Sequence, residues 1–142
     1  MIKMIIDADK NIVGRLAAYV AKKALNGEEI HIINSEKAVI TGRPDEIYAE
    51  YKRKKEMGAP KVGPIQPRTP ERILKRNIRG MLPYKKPRGK DAYKNIKCYV
   101  GIPKEFEGEE PVKLPEEYTI SKTRRTSYVT IESISNKLGA KV

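Results

Sequence analysis

The first 34 residues read as strand, helix, strand, and that order leaves few folds open. Met1–Asp7 carries Ile2, Met4, Ile5 and Ile6 without the alternation of an exposed hairpin edge, as expected of a strand covered on both faces. Asn11 is placed to cap a helix running to about Asn26. In it Ile12, Leu16, Val20 and Ala24 recur every fourth residue beside a second row of Val13, Ala17 and Ala21. Lys22 and Lys23 fall in its last turn, where cations suit the helix dipole, and Asn26-Gly27 ends it. Glu29–Asn34, with Ile30, Ile32 and Ile33, is a second strand. A crossover of this length is right-handed and makes the two strands parallel, so the expected class is α/β.

Downstream, Ala38-Val39-Ile40 is a short apolar run turned by Thr41-Gly42-Arg43. Pro44-Asp45-Glu46 opens a helix, with proline near its first position and acids at the positive dipole end. Ile47, Tyr48 and Tyr51 face inward, and the helix closes on Lys52-Arg53-Lys54-Lys55. Gly58–Thr69 contains Gly58, Pro60, Gly63, Pro64 and Pro67 and is expected as a long, stiff, basic loop. Thr69-Pro70-Glu71 starts another helix, with Thr69 as cap, reaching Met81 or Leu82 before Pro83. A second basic loop at Tyr84–Lys90 leads to a short helix around Asp91–Ile96 and a strand at Cys98–Ile102. Glu105–Glu117 reads as an acidic surface loop. In the last segment Thr126–Ser133 is strand-like while Ile131, Ile134 and Leu138 have helical spacing, and a helix near Ile131–Leu138 is favoured. One domain over residues 1–142 is expected, with a basic region at 51–104, an acidic loop at 105–117 and a C-terminal tail at 118–142.

Charge is the second constraint, because it is confined to one stretch. Residues 51–104 hold 17 Lys and Arg against Glu56, Glu71 and Asp91, while residues 1–50 and 105–142 each sum to −1, giving the net +12. Such a density repels itself unless a polyanion spreads over it. On the helix at Thr69–Leu82, Arg72, Lys75, Arg76 and Arg79 occupy one side, and Ile73, Leu74, Ile78, Met81 and Leu82 the other. The flanking loops add Lys61, Arg68, Lys85, Lys86, Arg88 and Lys90. Tyr84 and Tyr93 are candidates either for stacking on unpaired bases or for filling the core. RNA is favoured over DNA, since no helix-turn-helix, zinc finger or basic zipper is present to enter a major groove. A membrane surface is disfavoured, because Ile73, Leu74 and Ile78 are needed by the core.

Catalysis lacks a candidate set. The turn after the first strand, Asp7-Ala8-Asp9-Lys10-Asn11, has no glycine-rich phosphate cradle, and its two carboxylates would repel a pyrophosphate. They are read as turn and capping residues. His31, the one histidine, lies on the opposite strand face from Ile30 and Ile32 and is read as a packed, satisfied residue. Cys98, the one cysteine, is read as a buried structural thiol. No cofactor, metal or small-molecule substrate is expected. Asp7 and Asp9 interrupt the apolar start, so no secretory leader is expected and the chain reads as a soluble, cytoplasmic one.

At Arg72-Ile73-Leu74-Lys75-Arg76-Asn77-Ile78-Arg79-Gly80-Met81-Leu82-Pro83 the chain resembles the signature of the thirteenth large-subunit ribosomal protein family, a universal one. Gly14-Arg15-Leu16-Ala17 and Asn34-Ser35-Glu36-Lys37-Ala38-Val39-Ile40-Thr41-Gly42 match in the same order. The resemblance spans about residues 1–103 and leans to the archaeal branch. It implies a three-layer α/β/α domain around a mainly parallel sheet of about four strands. The implied role is structural: ribosomal RNA and neighbouring large-subunit proteins as partners, early subunit assembly, and a cytoplasmic place on the ribosome. Carried onto this sequence, it makes Arg72, Lys75, Arg76 and Arg79, with Arg15 and Arg43, candidates for RNA contact. The cations Lys52, Arg53, Lys54, Lys55, Lys61, Arg68, Lys85, Lys86, Arg88 and Lys90 join them by charge and exposure. Gly80 would permit a close approach or bend before Pro83. The alternative is a free-standing RNA-binding regulator, or an RNA-modifying enzyme of doubly wound fold.

Overall fold

The computed structural model describes residues 3–56, 68–112, 114, 118–120 and 127–139. The expected loop at Gly58–Thr69, and Lys61 with it, lies almost wholly outside the described residues. In chain order the elements are β1 (Lys3–Asp7), α1 (Val13–Leu25), β2 (Glu29–Ile33), β3 (Val39–Thr41) and α2 (Pro44–Glu56). Then follow α3 (Pro70–Arg79), α4 (Pro87–Lys94), β4 (Ile96–Cys98), β5 (Tyr128–Thr130) and α5 (Ile131–Lys137).

The opening crossover folds as the periodicity requires. β1 and β2 pair in parallel, Lys3 opposite Glu29 through Asp7 opposite Ile33, and β4 adds to the far side of β2 in the same sense. Val112 makes a single parallel bridge to Ile6 on the outer edge of β1, its amide donating to the Ile5 carbonyl at 2.7 Å. The result is an α/β fold on a parallel sheet of three strands, with an antiparallel pair, β3 and β5, beside it.

The register sorts the side chains. Met4, Ile30 and Ile96 form one row and Ile6, Ile32 and Cys98 the next, all on the face covered by the main core. Leu16, Val20 and Ala24 of α1 and Ile73, Leu74 and Ile78 of α3 fill that core and are buried. Burying a branched aliphatic side chain contributes roughly 1.5–3 kcal/mol, so this face holds most of the stability. On the opposite face Ile5 and Ile33 meet Phe106, which a short 3₁₀ turn at Lys104–Phe106 carries inward, with Tyr99 alongside. His31 belongs to this second cluster. Its Nδ1 lies 2.9 Å from the Tyr99 hydroxyl and its Nε2 3.1 Å from a Glu29 carboxylate oxygen, and its ring stacks on Tyr99 at 5.8 Å. It is packed and satisfied, as read from the sequence.

Several local expectations are corrected. Asn11 does not cap α1: Ile12 stands at that position, and the Asn11 amide donates instead to the Asp7 carbonyl at 2.6 Å. Asp7 accepts from the Asp9 amide at 2.9 Å and from Asn34 at 3.1 Å, so the carboxylate serves a turn. Thr69 precedes α3 but its hydroxyl makes no cap; the oxygen is buried without a partner. α3 ends at Arg79 rather than Met81, so the 100° spacing lapses and Met81 is 46% exposed, while Leu82 is buried by the turn that follows. Gly80 keeps an ordinary right-handed backbone and makes no close approach, a Cβ there meeting the Asn77 carbonyl only at 3.5 Å.

The stretch Tyr84–Lys90 is not one loop. α4 begins at Pro87, three residues after Tyr84, because proline suits the first helical position and Gly89 is required inside the helix: a Cβ there would lie 1.9 Å from the Pro83 carbonyl oxygen. The third strand comes earlier than Cys98–Ile102. Ile96 enters the buried row, whereas Val100 and Ile102 stand exposed on either side of a left-handed Gly101. The acidic stretch is pinned through Phe106, Val112 and Leu114 rather than lying wholly on the surface. The two signals of the tail are both realised. Tyr128–Thr130 pairs with β3, and Thr130 Oγ1 then accepts from Ser133 N at 3.2 Å to cap α5, whose Ile131, Ile134 and Leu138 are buried.

Candidate nucleic-acid interface

α3 carries an ordered set of cations because its two faces have different work. Ile73, Leu74 and Ile78 are at most 1% exposed, which fixes the helix rotation and leaves Arg72 exposed and Lys75, Arg76 and Arg79 half-exposed. Two of these are held by rings. Lys75 Nζ sits 4.6 Å from the centre of the Tyr93 ring on α4, and the Arg79 guanidinium 4.6 Å from that of Tyr84 in the following turn. Cation–π contacts of this kind are worth roughly 0.5–1 kcal/mol at partly exposed sites. Each ring underlies a cation; Tyr93 also packs against the main core, whereas Tyr84 is exposed.

The turn after α3 adds exposed cations, and so does α4. Lys85 and Lys86 are exposed in the turn, and Arg88 and Lys90 are exposed on α4 rather than in a loop. The close fit of Gly89 on Pro83 locks α4 to that turn. Arg68 is exposed just ahead of α3, and its carbonyl accepts from the Ser135 hydroxyl of α5, tying the helix entry to the tail. The structure thus gathers Arg68, Arg72, Lys75, Arg76, Arg79, Lys85, Lys86, Arg88 and Lys90 onto α3 and its immediate continuation.

The remaining candidates stand apart. Arg43 precedes α2, while Lys52, Arg53, Lys54 and Lys55 lie near its other end, about 14–18 Å away along the axis at 1.5 Å rise per residue. Lys52 and Arg53 are exposed. Lys54 pairs with Glu50 at 3.3 Å and lies over the Tyr51 ring at 5.3 Å, and Lys55 donates to the Leu138 carbonyl at 2.9 Å. Arg15 is exposed on the outer side of α1.

Beneath α3, Cys98 is partly buried against the core, and burial pushes its thiol up to about 12; Lys75 draws it down less, and Glu71 adds a little upward. A thiol so protonated is no nucleophile. Among the described residues no three His, Cys, Asp or Glu side chains group to hold a metal, and no helix is long and apolar enough to cross a membrane.

Residues 2–105 match the family model described as Ribosomal protein L13. The chain is 44% identical over 135 residues to the Archaeoglobus fulgidus protein named large ribosomal subunit protein uL13, covering 95% of this chain and 86% of that one. Proteins of the same name from Methanococcoides burtonii and Methanocaldococcus jannaschii are 48% and 47% identical, each over 96% of this chain and 98% of theirs. The likeness is to archaeal relatives and extends through most of the tail, beyond the residue 103 at which the sequence motifs stop.

Proposed function

Because the chain belongs to the ribosomal protein L13 family, we infer that it is a structural constituent of the large ribosomal subunit that holds ribosomal RNA on the basic face of α3 and supports early subunit assembly. The family is one of structural ribosomal proteins and not of enzymes. The carrying observation is α3 itself: a helix whose rotation is fixed by three buried aliphatic residues and whose outward cations are partly immobilised on tyrosine rings. Cations ordered beforehand lose fewer rotamers when a phosphate backbone arrives, so less binding energy is spent on ordering. Arg72, Lys75, Arg76 and Arg79 form the central contact. Arg68, Lys85, Lys86, Arg88 and Lys90 extend it, Lys61 being assigned by charge alone, and Arg15, Arg43 and Lys52 to Lys55 touch RNA or neighbouring subunit proteins from other sides. The mechanism is charge neutralisation and rigid placement within a single domain, on ribosomes in the cytoplasm.

The test is sedimentation of the tagged protein through a gradient of cell extract at moderate salt. Co-migration with the large subunit is the expected result; a position with messenger RNA, or with free protein, overturns the reading. With isolated RNA and roughly 6–10 phosphates contacted, affinity should fall on the order of 10³–10⁵ between 50 and 200 mM salt, taking the DNA coefficient as an upper guide.

A further inference from the structure

Away from α3, the outer side of α1 carries a groove lined by Arg15, Tyr19, Lys22, Lys23, Asn26 and Tyr118, with a volume of about 480 Å³. Among the described residues, three cations line it and no carboxylate does. Its far wall is built by the tertiary fold. Tyr118 is strapped to the start of α1 by backbone bonds, Ile12 N donating to the Tyr118 carbonyl at 2.8 Å and Ile120 N to the Lys10 carbonyl at 2.9 Å, with Thr119 bridging Asn11 between them. The Tyr118 ring then meets Tyr19 at 6.1 Å with 59° between their planes, and Lys23 Nζ lies 5.7 Å from the centre of the Tyr19 ring. Tyr19 and Tyr118 are both only partly buried, so an aromatic wall faces the groove.

We propose that this groove receives one unpaired nucleotide of single-stranded RNA, its base against the Tyr19–Tyr118 wall and its phosphate on Lys22 and Lys23. The volume lies in the range of sites that enclose small ligands, roughly 300–1,000 Å³. Aromatic rings beside cations are the combination that binds unstacked nucleotides without sequence preference. The C-terminal end of α1 opposes an anion with about half a negative charge, which the full charges of Lys22 and Lys23 outweigh. An acidic peptide would satisfy the lysines but leave the tyrosine wall without a flat partner. The proposal rests on the reading of the chain as an RNA-binding ribosomal protein, yet it concerns a different surface from α3.

The experiment titrates the full chain against a fluorescent ten-nucleotide single-stranded RNA of mixed sequence, and maps ultraviolet crosslinks to peptides. Tyr118→Leu keeps apolar bulk but removes stacking and should weaken binding about five- to a hundredfold. The Lys22→Gln, Lys23→Gln double variant should lower the slope of log affinity against log salt by about 1.4. Because Lys22 is exposed and Lys23 half-exposed, that variant stays folded and carries the test if Tyr118→Leu does not fold. Crosslinks should include Tyr19 or Tyr118 and persist when Arg72, Arg76 and Arg79 are replaced by Ala. Unchanged binding by the groove variants, with binding lost in the α3 variant, overturns the groove and leaves the α3 reading standing. A wild-type chain that binds no RNA removes both, and preference of the groove for polyglutamate over the RNA overturns the proposal.

Discussion

Helices α2 and α3 carry four cations each and end with different surfaces. On α3, Arg72, Lys75, Arg76 and Arg79 are spaced so that they fall within about 100° of arc at 3.6 residues per turn. On α2, Lys52, Arg53, Lys54 and Lys55 are consecutive and wrap about 300° around the axis. A consecutive run cannot point one way, and the fold uses part of it internally: Lys55 donates to the Leu138 carbonyl at the end of α5, and Lys54 lies on Glu50 and Tyr51. Lys137 of α5 reciprocates, lying 5.4 Å over the Tyr48 ring, while Tyr48 shares a hydrogen bond with Ser133. Equal charge thus yields a face in one helix and a clamp in the other. Spacing, more than number, decides whether cations form a docking surface.

The sharpest way to break this comparison is to remove what orients α3. Leu74 is fully buried, so Leu74→Asp places a charge without a partner in the core and should unfold the domain, seen as loss of a cooperative thermal transition. Leu74→Ala should cost about 2–5 kcal/mol by urea titration. Next in size is the effect on RNA. Replacing Arg72, Arg76 and Arg79 together by Ala should reduce the salt slope by up to about three and weaken affinity at least tenfold, with the fold retained. The matching triple change Lys52, Lys54 and Lys55 to Ala should reduce the slope by no more than about one. Equal slopes for the two triples would dissolve the distinction between face and clamp.

Smaller effects sharpen it. Gly89→Ala should cost about 1–3 kcal/mol, because its methyl meets the Pro83 carbonyl, and should weaken RNA binding by shifting Arg88 and Lys90 relative to α3. Lys55→Ala should lower stability by about 0.5–1.5 kcal/mol, measured by denaturation, with little change in RNA affinity. Last, Cys98 reports whether α3 is seated. Its thiol, pushed up to about 12 by burial, stays protonated at pH 8 and should react with a maleimide only slowly. The folded state holds this proton to higher pH than the unfolded one, so its contribution to stability is present below pH 9 and declines from there toward 12. Cys98→Ala should flatten that decline.

Much of this was legible in the chain, and the misses share a cause. The parallel pairing of β1 and β2, the inward residues of α2 and the buried stripe of α3 follow from repeats seen within a few residues. Pro87 and Gly89 fall in the stretch read as a loop, because their local cost is visible and the compensating fit against Pro83 is not. Cys98–Ile102 is rich in strand residues, but the ones that reach the core rows beside Ile30 and Ile32 are Ile96 and Cys98, so depth moved the strand two residues back. Lys22 and Lys23 read as dipole-matching cations, and nothing near them signals that Tyr118 returns to face Tyr19.

By itself the sequence determined the opening crossover, the confinement of charge to residues 51–104 and its segregation on α3, since each is a matter of spacing along one element. Tertiary structure alone decided that Lys55 caps α5, that tyrosines underlie Lys75 and Arg79, and that β5 joins β3 across the molecule. The physical reason is range. Periodicity is enforced by neighbours one turn away, whereas a contact between distant segments depends on which apolar sets fill the same space, and only the assembled core selects among them.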